Sequence, residues 1–147
     1  MRELSRDEID EMLVRNGIGV LAVVDEGIPY AIPMSFGYQG DEMTFAMQWG
    51  TGYGGRKSKA IRSNSNVCFT IYEQDSDVPE TWRSVVVTGE IYEISEENQV
   101  EAFSSLATNA EFASDLEMWG IPFEEIEMSL FGLNTEDCEG REFSSIK

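Results

Sequence analysis

Four of the ten basic residues of this 147-residue chain lie within seven positions, at Arg56, Lys57, Lys59 and Arg62. They directly follow residues 50–55, Gly-Thr-Gly-Tyr-Gly-Gly, a segment that contains four glycines. Glycine lets backbone N–H groups approach a ligand closely, and the amino end of a helix carries partial positive charge. The combination predicts a phosphate site, with Arg56 binding through two hydrogen bonds and Lys57 as a point charge. The alternative is that these cations pair with neighbouring carboxylates on a solvated helix.

Two nucleotide-binding motifs overlap the same segment. Residues 50–55 match GxGxxG, the dinucleotide-binding fingerprint, but that motif belongs to a parallel βαβ unit with a longer helix. The sequence Gly55-Arg56-Lys57-Ser58 approximates a P-loop, but the strand that resembles a Walker B strand, Val20–Glu26, precedes the loop instead of following it. Neither motif has its usual context, and the phosphate interpretation does not depend on them.

The chain contains no histidine. This absence excludes Ser-His-Asp and Cys-His nucleophile systems, histidine zinc sites and histidine-ligated haem. Acid–base chemistry would have to use carboxylates, lysine, tyrosine, water or a cofactor, and no residue is identified as catalytic. The two cysteines, Cys68 and Cys138, form no CxxC motif, and we expect them to be free thiols of a cytoplasmic protein.

The charge balance is strongly acidic, with 28 acidic and 10 basic residues and a formal net charge of −18. Such a surface should repel nucleic acid and anionic membranes. Carboxylates spread along the chain together with few lysines are typical of a halophilic protein, in which salt screens the self-repulsion. The alternative is an acidic surface that serves a basic partner. No apolar run approaches the roughly 20 residues of a membrane span, and the amino terminus has no signal-peptide pattern.

The patterning predicts one mainly β domain over residues 1–147. Short turns between the first three strands indicate an antiparallel meander, and Pro29 and Pro33 indicate an edge or bulged strand. Six antiparallel strands with helices at their edges would close best as a small barrel. Three helices are predicted, over 6–16, Arg56–Ser63 and Ser95 to Trp119, and the first begins with the capping box Ser5-Arg6-Asp7-Glu8. The predicted strands are Ile18–Val24, Ile28–Phe36, Met43–Trp49, Val67–Glu73, Trp82–Ile94 and Ile126–Leu133.

Two segments carry a family resemblance. The first is Gly55-Arg56-Lys57 followed by Ile61, Asn64 and Val67-Cys68-Phe69, and the second is the strand Trp82–Gly89 with its run of three valines. From about Ile18 to Ile94 the chain resembles the pyridoxamine 5′-phosphate oxidase-like split-barrel flavoproteins, in the branch that includes nitroimidazole-resistance proteins. The resemblance implies a mainly β, six-stranded antiparallel Greek-key split barrel with peripheral helices. It also implies a homodimer with one FMN at each end of the subunit interface.

The resemblance further implies which residues bind the cofactor. Gly55, Arg56 and Lys57 would hold the FMN phosphate, which agrees with the independent charge argument. The isoalloxazine ring would lie along two strand segments, and Ser84 would make a polar contact to the flavin. The residues of the two segments are Pro33, Met34 and Ser35, and Phe45, Ala46 and Met47.

The chain departs from this branch at two places. Ala46 stands where the branch usually has a histidine, and the loop 50–55 is longer and richer in glycine than usual. The basic residues that grip pyridoxal phosphate in the oxidases proper are not evident, so vitamin B6 oxidation is not expected. We therefore expect an FMN-dependent oxidoreductase acting on a small molecule. The alternatives are a flavin-binding or storage module without turnover, and a deazaflavin-dependent reductase of the same fold.

Overall fold

The computed structural model describes residues 1–48, 56–102, 104 and 128–145. Helix α1 spans Arg6–Arg15 and helix α2 spans Arg56–Ser63; a short 3-10 turn covers Glu96–Asn98 and leads into helical residues 99–102. The strands of this part of the chain are β1 Arg2–Glu3, β2 Ile18–Asp25, β3 Ile28–Ser35, β4 Gly37–Gln39, β5 Glu42–Gln48, β6 Asn66–Gln74, β7 Thr81–Glu90, β8 Tyr92–Glu93, β9 Met128–Asn134 and β10 Cys138–Ser144.

The capping box at the start of α1 is formed as predicted. The Ser5 hydroxyl accepts a hydrogen bond from the Glu8 N–H at 3.2 Å, and the Ser5 N–H donates to the Glu8 carboxylate at 3.1 Å. Two N–H groups that the first turn leaves unpaired are thereby satisfied. Ile9, Met12 and Leu13 then recur on one face of the helix and are buried. This spacing anchors α1 to the core.

The described strands form two antiparallel sheets. Six strands are ordered β1-β10-β7-β6-β2-β3, and four are ordered β4-β5-β9-β8. Strand β3 lies at an edge of the larger sheet, where its Pro29 and Pro33 break no internal ladder. The prediction of a mainly β, antiparallel split barrel with few helices is confirmed, and the described residues form no closed barrel.

Two strand predictions need correction. The run 82–94 is not one strand: β7 ends at Glu90, the Ile91 N–H donates to the Ser65 carbonyl at 2.9 Å, and β8 then joins the other sheet. The polar segment around Cys138, which lies beyond the last predicted strand, forms strand β10 because its backbone pairs with both β7 and β1. The helix predicted from Ser95 is present through residue 102, and its continuation lies outside the described residues.

Aromatic side chains fill the space between the two sheets. The ring centroids of Phe36 and Phe69 are 5.2 Å apart, and those of Phe45 and Phe69 are 5.1 Å apart. Phe69 also lies directly over Gly19, where an added Cβ would come within 2.6 Å of its ring. Helix α2 packs against β2. The amino end of α2 is thus fixed beside the β2–β3 hairpin.

Candidate functional site

The basic cluster spans α2, with Arg56 and Lys57 at the amino end of the helix and Arg62 in its last turn. Ser58, Ala60 and Ile61 turn inward and are buried, so the helix has a fixed orientation on β2. This orientation sends the Arg56 side chain towards the hairpin between β2 and β3.

Arg56 is held by two residues of that hairpin. Its Nε donates a hydrogen bond to Asp25 Oδ2, and its Cζ lies 4.2 Å from the centroid of the Tyr30 ring. The hydrogen bond to Asp25 raises the pKa of the guanidinium. Among the described residues, the two terminal nitrogens of Arg56 make no hydrogen bond. Asp25 and Tyr30 therefore fix the guanidinium while its outer edge stays available for a bidentate contact.

Lys57 is a partly buried cation. Burial lowers the pKa of its ammonium, and no carboxylate acts against this effect. Within the described part of the chain, Lys57 takes part in no ion pair or side-chain hydrogen bond. Burying an unpaired cation costs free energy, and this chain has 28 acidic residues from which a partner could have come. The position therefore favours an external anion.

The two interpretations of the basic cluster can now be compared. The first interpretation, that the cations pair with neighbouring carboxylates, holds for Arg56, which contacts Asp25. It does not hold for Lys57, which has no carboxylate partner in the described part of the chain, so the phosphate interpretation is favoured there. Asp25 and Tyr30 were not predicted as site residues. The turn after Asp25 is visible in the sequence, but its contact with a residue 31 positions away is not.

The predicted ring-binding strands divide into inward and outward residues. Met34, Phe45 and Met47 are buried in the core, with exposed fractions of 7%, 0% and 0%. Successive side chains of a strand point to opposite faces, so these three pack against other core residues. Only their backbone is available to a ligand outside the barrel.

The outward residues lie at separate places. Pro33 and Ser35 lie on the outer face of β3, on the same hairpin as Tyr30. Ala46 packs against Leu130 of the smaller sheet and against Ile94, which directly follows β8. Ser84 lies on β7, which is three strand spacings, about 14 Å, from β3. The hairpin thus brings Arg56 together with β3, whereas Ser84 is remote from it within one chain, and Gly55 lies outside the described residues.

The outer face of β2 and β3 is uncharged. The strand register places four residues of β2 opposite four of β3 on this face, and the opposite face supplies the core. These outer residues are Ile18, Val20, Ala22 and Val24, and Pro29, Ala31, Pro33 and Ser35. In a chain of net charge −18, this face is distinguished by having no charged side chain among these eight residues.

The described residues also limit other kinds of site. They contain no group of three or more Cys, Asp or Glu side chains placed to hold a metal ion. No helix among them is both long and apolar enough to cross a bilayer. Both cysteines are free thiols and are partly buried.

Comparison with known proteins assigns the family. A family model described as pyridoxamine 5′-phosphate oxidase matches residues 5–127. The chain therefore belongs to this family, and the split-barrel resemblance drawn from the sequence is confirmed.

Several solved structures share the fold. A FAD-binding protein from Mesorhizobium loti is 23% identical with a TM-score of 0.78, and the match covers 97% of this chain and 98% of that one. A candidate 5-nitroimidazole antibiotic resistance protein from Bacteroides thetaiotaomicron is 19% identical with a TM-score of 0.72, covering 97% and 87%. A FAD- and heme-binding protein from Mycobacterium smegmatis is 18% identical with a TM-score of 0.74, covering 99% and 74%.

A relative is also identified by sequence. An uncharacterized protein of Rhizobium meliloti (strain 1021) is 30% identical over 95 residues, which are 64% of this chain. The match spans 58% of the length of that relative.

Proposed function

We propose that this protein binds a flavin nucleotide, FMN in the first instance, with its phosphate at Lys57 and Arg56. The observation that carries the proposal is the partly buried ammonium of Lys57, which has no partner in the described part of the chain. The neighbouring Arg56, fixed by Asp25 and Tyr30, supplies a second, oriented donor. Two cations of this kind match a dianionic phosphate better than a carboxylate of the protein.

The remaining part of the flavin fits along β3. Pro33 and Ser35 follow Tyr30 by three and five residues, which is about 10 and 17 Å along a strand, and their side chains lie on the face opposite to that of Tyr30. A flavin that reaches from Arg56 to Pro33 would therefore pass around β3, which is the free edge of the larger sheet. A ribityl chain connects the phosphate of FMN to its ring, so the ring would lie at this outer edge. In this arrangement Met34, Phe45 and Met47 support the strands from inside and Pro33 contacts the ring.

We further propose that two copies pair through the uncharged outer face of β2 and β3. Acidic chains repel each other, and this face lets two copies approach without opposing carboxylates. Ser84 lies on the outer face of the same sheet but too far from β3 to reach one flavin together with Pro33. Its predicted polar contact to flavin therefore requires the dimer.

The proposed activity is flavin-dependent oxidoreduction of a small molecule. A bound flavin supplies hydride or single-electron transfer. The chain itself would anchor the phosphate at Lys57, orient the ring along β3 and exclude water through the apolar face. The second candidate is a binding module without turnover. It is favoured by Ala46, because this residue stands where the branch usually has a histidine and packs instead against the apolar side chains of Ile94 and Leu130.

Titration of the purified protein with FMN and with FAD tests the proposal. We expect saturable quenching of FMN fluorescence, loss of affinity in Lys57→Met, and a dimer by sedimentation. FAD binding tighter than FMN binding would move the assignment towards the dinucleotide, and failure to bind either would refute it. Anaerobic reduction of the flavin-loaded protein by NADH or NADPH then separates an oxidoreductase from a binding module.

A further inference from the structure

A groove of about 670 Å³ lies on the outer side of the smaller sheet. It is bounded by β5, by β8 and by the helical segment that follows β8. This volume is in the range of sites that hold small organic ligands. The groove is separate from the basic cluster at α2, and none of the described residues that line it is basic.

A buried hydroxyl faces this groove without a partner. Thr44 is only 4% exposed and lines the groove. Among the described residues, its side chain makes no hydrogen bond. Buried polar groups are normally hydrogen-bonded, and an unsatisfied one costs free energy. The Thr44 hydroxyl is therefore available to a ligand in the groove.

A hydrogen-bonded pair forms the neighbouring wall. The Tyr92 hydroxyl donates to Glu42 Oε1, and both side chains lie across Gly132 of β9. An added Cβ at Gly132 would come within 2.3 Å of the Glu42 carboxylate and within 2.6 Å of the Tyr92 ring. Burial, together with the bond to Glu42, raises the pKa of Tyr92. The absence of a side chain at Gly132 thus allows a carboxylate and an aromatic ring to meet beside Thr44.

The carboxylates of the groove favour a positively charged ligand. Of the lining residues that the structure describes, three carry carboxylates, Glu42, Glu93 and Glu101, while Ile94 and Ala102 supply apolar surface. Anions are excluded by this lining. A cation with an apolar body would satisfy the carboxylates and the hydroxyl together, and the Tyr92 ring offers a cation–π contact.

A second acidic groove shows that acidity alone does not make such a site. It measures about 530 Å³ and lies beside α1. Its carboxylates Glu73 and Asp75 are paired with Arg15 and Arg83. The groove at Thr44 has no such counter-charge among the lining residues in the described part of the chain.

We propose that the groove lined by Thr44, Glu42 and Tyr92 binds a small organic cation, a primary amine with a short apolar body. The ammonium donates hydrogen bonds to the Glu42 carboxylate and the Thr44 hydroxyl, and the apolar body lies on Ile94 and Ala102. The inference does not depend on the proposed flavin, because the binding is measured without it.

Benzylamine serves as the probe, and benzyl alcohol and benzoate serve as the neutral and anionic comparisons. Each is titrated into ¹⁵N-labelled protein without flavin, at about 1 M salt, where the Debye length is about 3 Å and diffuse attraction is suppressed. We expect saturable amide shifts confined to the neighbourhood of Thr44, Tyr92 and Gly132, with benzylamine bound at least tenfold more tightly than either comparison.

Four variants decide the outcome. Thr44→Val should weaken benzylamine about tenfold, the effect of losing one hydrogen bond to a charged group, and Thr44→Ser should retain the affinity. Glu42→Gln should also weaken it, whereas Glu11→Gln, which removes a carboxylate from the second groove, should not. The proposal would be overturned by any of three results. These are amide shifts shared by both grooves, binding of benzyl alcohol as tight as that of benzylamine, or unchanged benzylamine affinity in Thr44→Val and Glu42→Gln.

Discussion

Replacing Lys57 by methionine should weaken FMN binding without destabilising the fold. The substitution keeps an unbranched side chain of similar length and removes only the charge. A charge-assisted hydrogen bond contributes about 1.5–3 kcal/mol, so we expect FMN affinity to fall about 10- to 100-fold. Lys59→Met is the matched control, because Lys59 lies on the same helix but is exposed. Its affinity for FMN should stay close to that of the wild type.

The same substitution should stabilise the protein without flavin. Burial lowers the pKa of Lys57 from its usual 10.5, so the folded state binds this proton less tightly than the unfolded state does. The free energy of unfolding of the wild type should therefore rise as the pH passes from the lowered value towards 10.5. Below the lowered pKa of Lys57 the full cost of the buried charge is present. Lys57→Met removes that cost and should show a higher melting temperature.

Two measurements on one preparation test this prediction. Fluorescence titration gives the FMN dissociation constant, and thermal unfolding by circular dichroism gives the melting temperature without flavin. Weaker binding with equal or higher stability supports an anion site at Lys57. A lower melting temperature together with unchanged FMN affinity would show that Lys57 has a structural role and would refute the reasoning.

Four further predictions concern the site, the fold and the surface. Tyr30→Leu should weaken FMN about two- to fivefold by removing the ring under Arg56, as measured by fluorescence titration. Two backbone N–H groups of its turn and Arg83 lower the pKa of Asp75 to about 2, so its contribution to stability is lost as the pH falls from about 4 towards 2. In urea unfolding, Asp75→Asn should make the free energy of unfolding depend less on pH in this range. Gly19→Ala should destabilise the fold by about 1–3 kcal/mol in the same assay, because its Cβ would meet Phe69. Finally, the wild-type melting temperature should rise between about 0.1 and 1 M salt, because salt screens the repulsion within a chain of net charge −18.

Much of the secondary structure follows from neighbours in the sequence. The capping box at Ser5 sets the start of α1. The glycine-rich segment before Arg56 and the polar run Asn64-Ser65-Asn66 after Ser63 indicate both bounds of α2. Pro29 and Pro33 indicate an edge strand, and β3 is one. Strand β10 could not be predicted in this way, because its segment Cys138–Ser144 has little apolar alternation and depends on backbone pairing with β7.

The candidate site shows the same division. Composition and spacing are local properties, and they are enough to place the basic residues in a cluster after a glycine-rich loop at a helix start. The contacts of Asp25 and Tyr30 with Arg56, and the lack of a carboxylate partner for Lys57 in the described part of the chain, follow from the packing of distant segments. The same packing turns Phe45 and Met47 towards the core. The physical reason is that burial and ion pairing depend on distances between segments far apart in the chain, and those distances are set when the sheets and α2 pack together.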